Sequence, residues 1–104
     1  MALLEFLENK LLEKNTLEIL VIKMISPENF IVGDSSSLAL LDISENPNHG
    51  KDIKIGTTIK LLKPILVDHK SLKTNENFRP LESKKMIDLT PSFLCHTIKK
   101  LLAS

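Results

Sequence analysis

The chain has 104 residues, 42% apolar and 26% charged, with a formal net charge of +1 and one cysteine. That length fits one domain able to bury a core, and the balance is that of an ordinary globular protein rather than a disordered chain. A membrane-spanning helix is excluded: the longest apolar runs, LEILVIKMI and IKLLKPILV, are each broken by a lysine and fall far short of the ~20 residues such a helix needs.

The opening MALLEFLENKLLEKN has neither the basic start nor the small-residue cleavage site of a signal peptide, and its glutamates are out of place in a transit peptide. An intracellular location is therefore expected. Cys95 has no partner for an internal disulfide, which fits a reducing compartment. Charge is unevenly spread along the chain. Residues 1–52 carry four lysines against nine acids, a balance of −5, whereas residues 53–104 carry nine lysines and Arg79 against four acids, a balance of +6. The split points to an electrostatic partner for one half; the plainer reading is a solvated surface with segregated charge.

Taken in chain order, residues 1–15 place Leu4, Leu7 and Leu11 at spacings of three and four, widened by Leu3 and Leu12. That pattern predicts an amphipathic helix, with Asn15 as its stop. TLEILVIKMIS predicts a strand over 17–25 with apolar groups on both sides, hence one shared between two packed surfaces, closed by Ser26 and Pro27. FIVGD is a second strand ending in the turn pair Gly33 and Asp34, and SLALLDIS a third, antiparallel because the connection is too short for a crossover. ENPNHGKD is a loop. A fourth strand is predicted from Thr58 to Val67, with Pro64 restricted to an edge or bulge. LKT begins a short fifth, and NENFRPLESKK is a polar loop. From Pro91 a second helix runs to 103, with Leu94, Ile98, Leu101 and Leu102 on one face. Thr90 is its N-cap, Pro91 its first residue, and Lys99 and Lys100 suit its C-terminal end.

Several short strands at regular spacing predict a sandwich or small barrel. Five of them with this loop pattern suit an all-β core in the form of a five-stranded Greek-key OB-fold barrel. The expected organisation is one domain over 1–104: a helix over 1–15, a barrel over 17–82 and a helix over 91–103. The turn GDSSS, the strand LALLDIS and the segment IKIGTTIKL with Gly56 in its glycine position lie within Phe30 to Leu81, about half of the chain. This run resembles the core of single-strand DNA-binding and replication protein A-like OB domains. The last helix resembles the one through which small subunits of replication protein A and of telomere-capping trimers assemble. The resemblance implies a nuclear, non-enzymatic subunit whose partners are other OB-fold or helical subunits and single-stranded DNA or RNA.

A strand-tracking groove needs cations for phosphates and flat side chains for bases. Lys60, Lys63, Lys70, Lys73 and Arg79, followed by Lys84 and Lys85, supply the cations along the hairpin that lines the binding face in the resembled family. Stacking groups are scarce: there is no Trp or Tyr, and Phe78, beside Arg79, is the best candidate, with a core plug beneath the loop as its plainer reading. Intrinsic affinity for single strands is thus expected to be weak and salt-dependent. That deficit favours a second role, protein assembly. Leu94, Ile98, Leu101 and Leu102 fit the spacing of helix-in-groove anchors, while the first helix is read as a cap on its own barrel. A protein-interaction barrel with no nucleic-acid role is the alternative.

Other chemistry is weakly represented. His49, His69, His96 and Cys95 lack the spacing that places two ligands on one metal. Cys95 and His96 are adjacent on a helix and point about 100° apart, which rules out a nucleophile pair. No Gly-x-Ser-x-Gly elbow surrounds Ser35 to Ser37, and the three glycines stand alone rather than in a phosphate loop. No enzyme, cofactor, metal or small-molecule substrate is expected.

Overall fold

The strand β1 (Thr16–Ser26) is the spine of the domain because its sequence offers apolar groups to both sides: Leu17, Ile19 and Val21 are buried on one, and Leu20 and Ile22 are half-buried on the other. The computed structural model describes residues 2–8 and 16–103. β1 is long enough to serve two neighbours. Its first half pairs antiparallel with β4 (Thr58–Leu62), from Thr16 opposite Leu62 to Leu20 opposite Thr58. Its second half pairs antiparallel with β2 (Asn29–Gly33). A register shift between Val21 and Lys23 marks the change, and an irregularity of this kind bends a strand and increases its twist.

A tight turn at Ser26–Glu28 joins β1 to β2, with the Ser26 hydroxyl accepting from the Asn29 side-chain amide at 3.1 Å. β3 (Leu38–Asp42) returns antiparallel to β2. After a 3-10 turn over Pro47–Asp52 and β4, the hairpin of β5 (Ile65–Asp68) and β6 (Ser71–Lys73) brings β6 parallel to β3. The two-residue β7 (Leu81–Glu82) pairs with β4. The sheet order is β5-β6-β3-β2-β1-β4-β7.

This is a mostly-β domain built on an open sheet of seven strands, not the closed five-stranded barrel expected from the sequence. Two local causes account for the count. The anticipated fourth strand breaks at Lys63, whose φ is +49°, and Pro64, which has no N–H for a ladder, so β4 stays on β1 while β5 pairs with β6. The side-chain amide of Asn75 donates to the carbonyls of Leu62 and Lys63 at 2.8 and 3.1 Å, fixing the break. β7 comes from a segment read as loop; Ser83 N–H donates to the Thr58 carbonyl at 2.8 Å just beyond it.

Alternation divides the sheet into two faces. The inner face, with Ile19, Phe30, Leu41, Leu61 and Leu72 buried, packs around helix α1 (Leu3–Leu7). α1 buries Leu3, Phe6 and Leu7 in that core and leaves Leu4 exposed, so its buried stripe is displaced from the Leu4–Leu7 spacing. Leu11, Leu12 and Asn15 lie outside the described residues. The outer face, with Ile31 and Leu38 buried and Ile22 and Leu40 half-buried, is covered by helix α2 (Pro91–Leu102). The α2 start follows its sequence: the Thr90 hydroxyl accepts from Phe93 N–H at 3.2 Å and Pro91 opens the first turn.

Candidate interaction surface

The cations read from the sequence sit mostly on or near the outer face of β4, β5 and β6, and the ladder gives two of them carboxylate neighbours. Lys60 lies between the buried Ile59 and Leu61, so it faces outward, opposite Glu18 of β1. Lys73 of β6 is opposite Asp42 of β3 and Ile65 of β5. Residues paired in this way have Cβ atoms roughly 5 Å apart, so each of these cations has an acid across the ladder, with the Glu18 carboxylate accepting from the Ser83 hydroxyl and that of Asp42 from the Ser44 N–H. Lys63 stands exposed at the bend, and Lys70 lies in the β5–β6 turn. In that turn the Asp68 carboxylate accepts from the Lys70 N–H at 2.8 Å and the Ser71 hydroxyl at 2.9 Å. These two bonds, the Lys70 N–H first, hold its pKa below the usual carboxylate value by stabilising the charged form. Arg79 is exposed in the loop before β7.

Phe78 is a core plug. It is 7% exposed and belongs to the inner core, with the His49 ring set perpendicular to it at 5.9 Å between centroids and 89° between planes. His49 Nδ1 is 3.5 Å from an Asp52 carboxylate oxygen, and the Asn46 amide donates to the Glu76 carbonyl at 3.1 Å. The 3-10 turn and the 74–79 loop therefore close together over Phe78. The stacking role anticipated for it fails on burial. Phe6 and Phe30 are buried as well, and Phe93, on α2, is half-buried against the Ile31 and Leu38 cluster of the sheet, so none of the four phenylalanines is an exposed side chain.

Of the four α2 anchors, Leu101 is buried and Leu94 and Ile98 are half-buried against the Ile31 and Leu38 cluster of the chain's own sheet. Only Leu102 points away, 56% exposed. The amphipathic stripe that suggested a partner helix is thus occupied, at least in part, within this chain. The outward side of α2 carries Cys95, His96, Lys99 and Lys100.

A different group of apolar residues is open. Leu62 at the end of β4 and Ile65 and Val67 on β5 are 51%, 42% and 56% exposed, on the same outward side as Lys60 and Lys73. Sequence reading missed them because one unbroken strand from Thr58 to Val67 would place Ile65 and Val67 on the same side as Ile59 and Leu61. The bend supplies the reason: Ile59 and Leu61 point inward before it and Leu66 after it, so the inward parity changes from odd to even. A proline preceded by lysine inside an apolar run is the one signal that could have exposed that change.

The serine-rich turn has a structural task. Asp34 is buried; one of its carboxylate oxygens accepts from the Leu3 N–H at 2.8 Å and the other from the Ser36 N–H at 2.8 Å. The Ser36 hydroxyl accepts from the Leu4 N–H at 3.0 Å. The first N–H groups of α1, which have no intrahelical acceptors, are thus capped from 31 and 32 residues away. A shallow cleft between this turn and the 85–88 segment is lined by Asp34, Ser36, Lys85 and Asp88. Among the described residues there is no group of three His, Cys, Asp or Glu side chains placed to hold a metal, and no helix long and apolar enough to cross a membrane.

No protein-family model, curated protein or solved structure matches the chain.

Proposed function

We propose that this chain is a non-enzymatic OB-type subunit of a nuclear complex that handles single-stranded DNA, acting chiefly by assembling with protein partners and touching nucleic acid weakly. The observation that carries the reading is the strand connectivity. A meander of β1, β2 and β3, an antiparallel β1–β4 pair and a parallel β3–β6 pair, within an open sheet, support an OB-type reading in which β4 and β5 stand for one strand bent at Lys63–Pro64. The functional step rests on analogy at the level of fold and on the sequence resemblance, since a fold by itself hosts many functions.

The side chains shift the weight toward assembly. The outer face of β1, β2 and β3 lies under α2, Phe78 is withdrawn into the core, and Lys60 and Lys73 have carboxylates opposite them. Phosphate attraction with no stacked base gives weak binding that falls steeply with salt. Titrating a labelled oligonucleotide of about 20 nucleotides into the chain alone is expected to give a Kd no tighter than about 1 μM at moderate salt. Submicromolar, salt-insensitive binding would overturn the weak-contact part. Proximity labelling in cells is expected to enrich subunits of a single-stranded-DNA-handling complex; enrichment of other assemblies alone would leave a protein-recognition domain with no nucleic-acid role.

A further inference from the structure

We infer that the outer side of the β4–β5 bend, Leu62, Ile65 and Val67 among Lys60, Lys63, Lys70 and Lys73, docks an acidic segment of a protein partner that carries aliphatic anchors. The inference rests on the assembly reading above and names the chemistry of the partner. Three aliphatic side chains, each 42% exposed or more, follow one another around the bend, although other aliphatic residues of the same strands are in the core: Ile59 and Leu61 are buried and Leu66 packs against them. The bend reverses parity at Lys63 and Pro64, and the Asn75 amide holds it there through the carbonyls of both residues before the proline. The exposure is therefore set by the backbone bend, on the edge strand β5.

Charge selects the occupant. The stretch 60–73, KLLKPILVDHKSLK, holds four lysines and one acid, Asp68. Asp68 stays ionised and holds its charge within its own turn, on the Lys70 N–H and the Ser71 hydroxyl, so the stretch is basic by three charges. Lys63 and Lys70 lie outside the strands, at a bend and a turn, whereas Lys60 and Lys73 have acids across the ladder. An occupant must then bring apolar groups for Leu62, Ile65 and Val67 and carboxylates for the flanking lysines. Complementary potential of this kind steers encounter and disfavours basic competitors. A nucleic acid satisfies only the cations: it would leave the aliphatic strip in water, and no phenylalanine is open for stacking.

The test uses the full chain, isotopically labelled, with three fluorescent probes: a peptide of alternating leucine and glutamate, the same peptide with each glutamate replaced by lysine, and oligothymidylate. The acidic peptide is expected to shift the backbone resonances of residues 62–73, and the basic one not to bind. Ile65→Ser with Val67→Ser, both at exposed positions, should weaken the acidic peptide at least about tenfold, as should Lys63→Glu with Lys70→Glu. Amide spectra of the variants confirm that each remains folded. Equal binding of both peptides, shifts centred elsewhere, or no binding of the acidic peptide would overturn the inference. Oligothymidylate binding that is lost with the lysine pair but indifferent to Ile65→Ser and Val67→Ser, without peptide binding, would assign the lysines to nucleic acid instead. Failure here with assembly intact in cells removes only this surface; absent assembly with peptide binding intact removes the functional reading.

Discussion

Asp34 joins two parts of the chain that local sequence does not connect. Its carboxylate accepts backbone N–H groups from both the 34–37 turn and the start of α1, so its loss uncaps a helix and loosens a hairpin together. Asp34→Ala is expected to cost about 2 to 3 kcal/mol in urea denaturation, and Ser36→Ala about 1 kcal/mol. Ser35, which is exposed, should tolerate alanine within about 0.5 kcal/mol. Gly33 limits the same turn from the other side. A Cβ there would sit 2.2 Å from Leu38 Cδ2 and 2.7 Å from the Ser37 carbonyl oxygen, a contact only a backbone shift can relieve. Asp68 gives the domain a pH signature. Its folded pKa is lowered from 3.8, so the stabilisation it contributes is complete above 3.8 and fades as pH falls through the lower folded value. A carboxyl NMR titration should find the Asp68 midpoint below 3.8, and Ser71→Ala should raise it toward that value.

At the scale of elements, α2 and the bend show where local rules held and where they did not. Thr90, Pro91 and the basic last turn set the boundaries of α2 from sequence alone, and the observed Pro91–Leu102 agrees with the expected 91–103. The same periodicity shows an apolar stripe but not what covers it, because a face suited to a partner helix is equally suited to the chain's own sheet. Ile98→Asp should therefore destabilise the domain by about 2 to 3 kcal/mol and Leu102→Asp by less than about 0.5 kcal/mol, compared by urea denaturation. Phe78 was open in the same way: its neighbours are polar, and only the closure of the 74–79 loop on the 3-10 turn brings it into the core. The Lys63–Pro64 break is half legible. Proline announces an interruption, but the left-handed φ of Lys63 and the parity change that brings Ile65 and Val67 out beside Leu62 belong to the folded backbone. Asn75→Ala, which leaves two carbonyls without their donor, should lower stability by about 1 kcal/mol. Lys63→Gly should be neutral or raise it by up to about 1 kcal/mol, since glycine removes the left-handed strain.

For the whole molecule, the segregated charge of the sequence does not survive folding as two opposed halves. The acidic first half contributes β1, β2 and β3 to the centre of the sheet, and the basic second half supplies β5 and β6 at one end and β4 and β7 at the other. Acids of one half therefore lie opposite lysines of the other in the ladder, Glu18 opposite Lys60 and Asp42 opposite Lys73. Lys60→Glu would oppose like charges and should cost about 0.5 to 1 kcal/mol, whereas Lys63→Glu, at an exposed bend, should have little effect; the difference should shrink with added salt in thermal melts. Apolar alternation, turn residues and capping signals determined by themselves that this chain forms a strand-rich domain with a capped C-terminal helix, because those signals act over a few residues. Tertiary structure alone decided that the strands number seven in an open sheet, that Asp34 caps α1, that Phe78 is core, that α2 covers its own sheet and that the bend carries the open aliphatic strip. Each of these depends on contacts between segments far apart in the chain, or on a backbone reversal whose consequence appears only when the sheet is assembled.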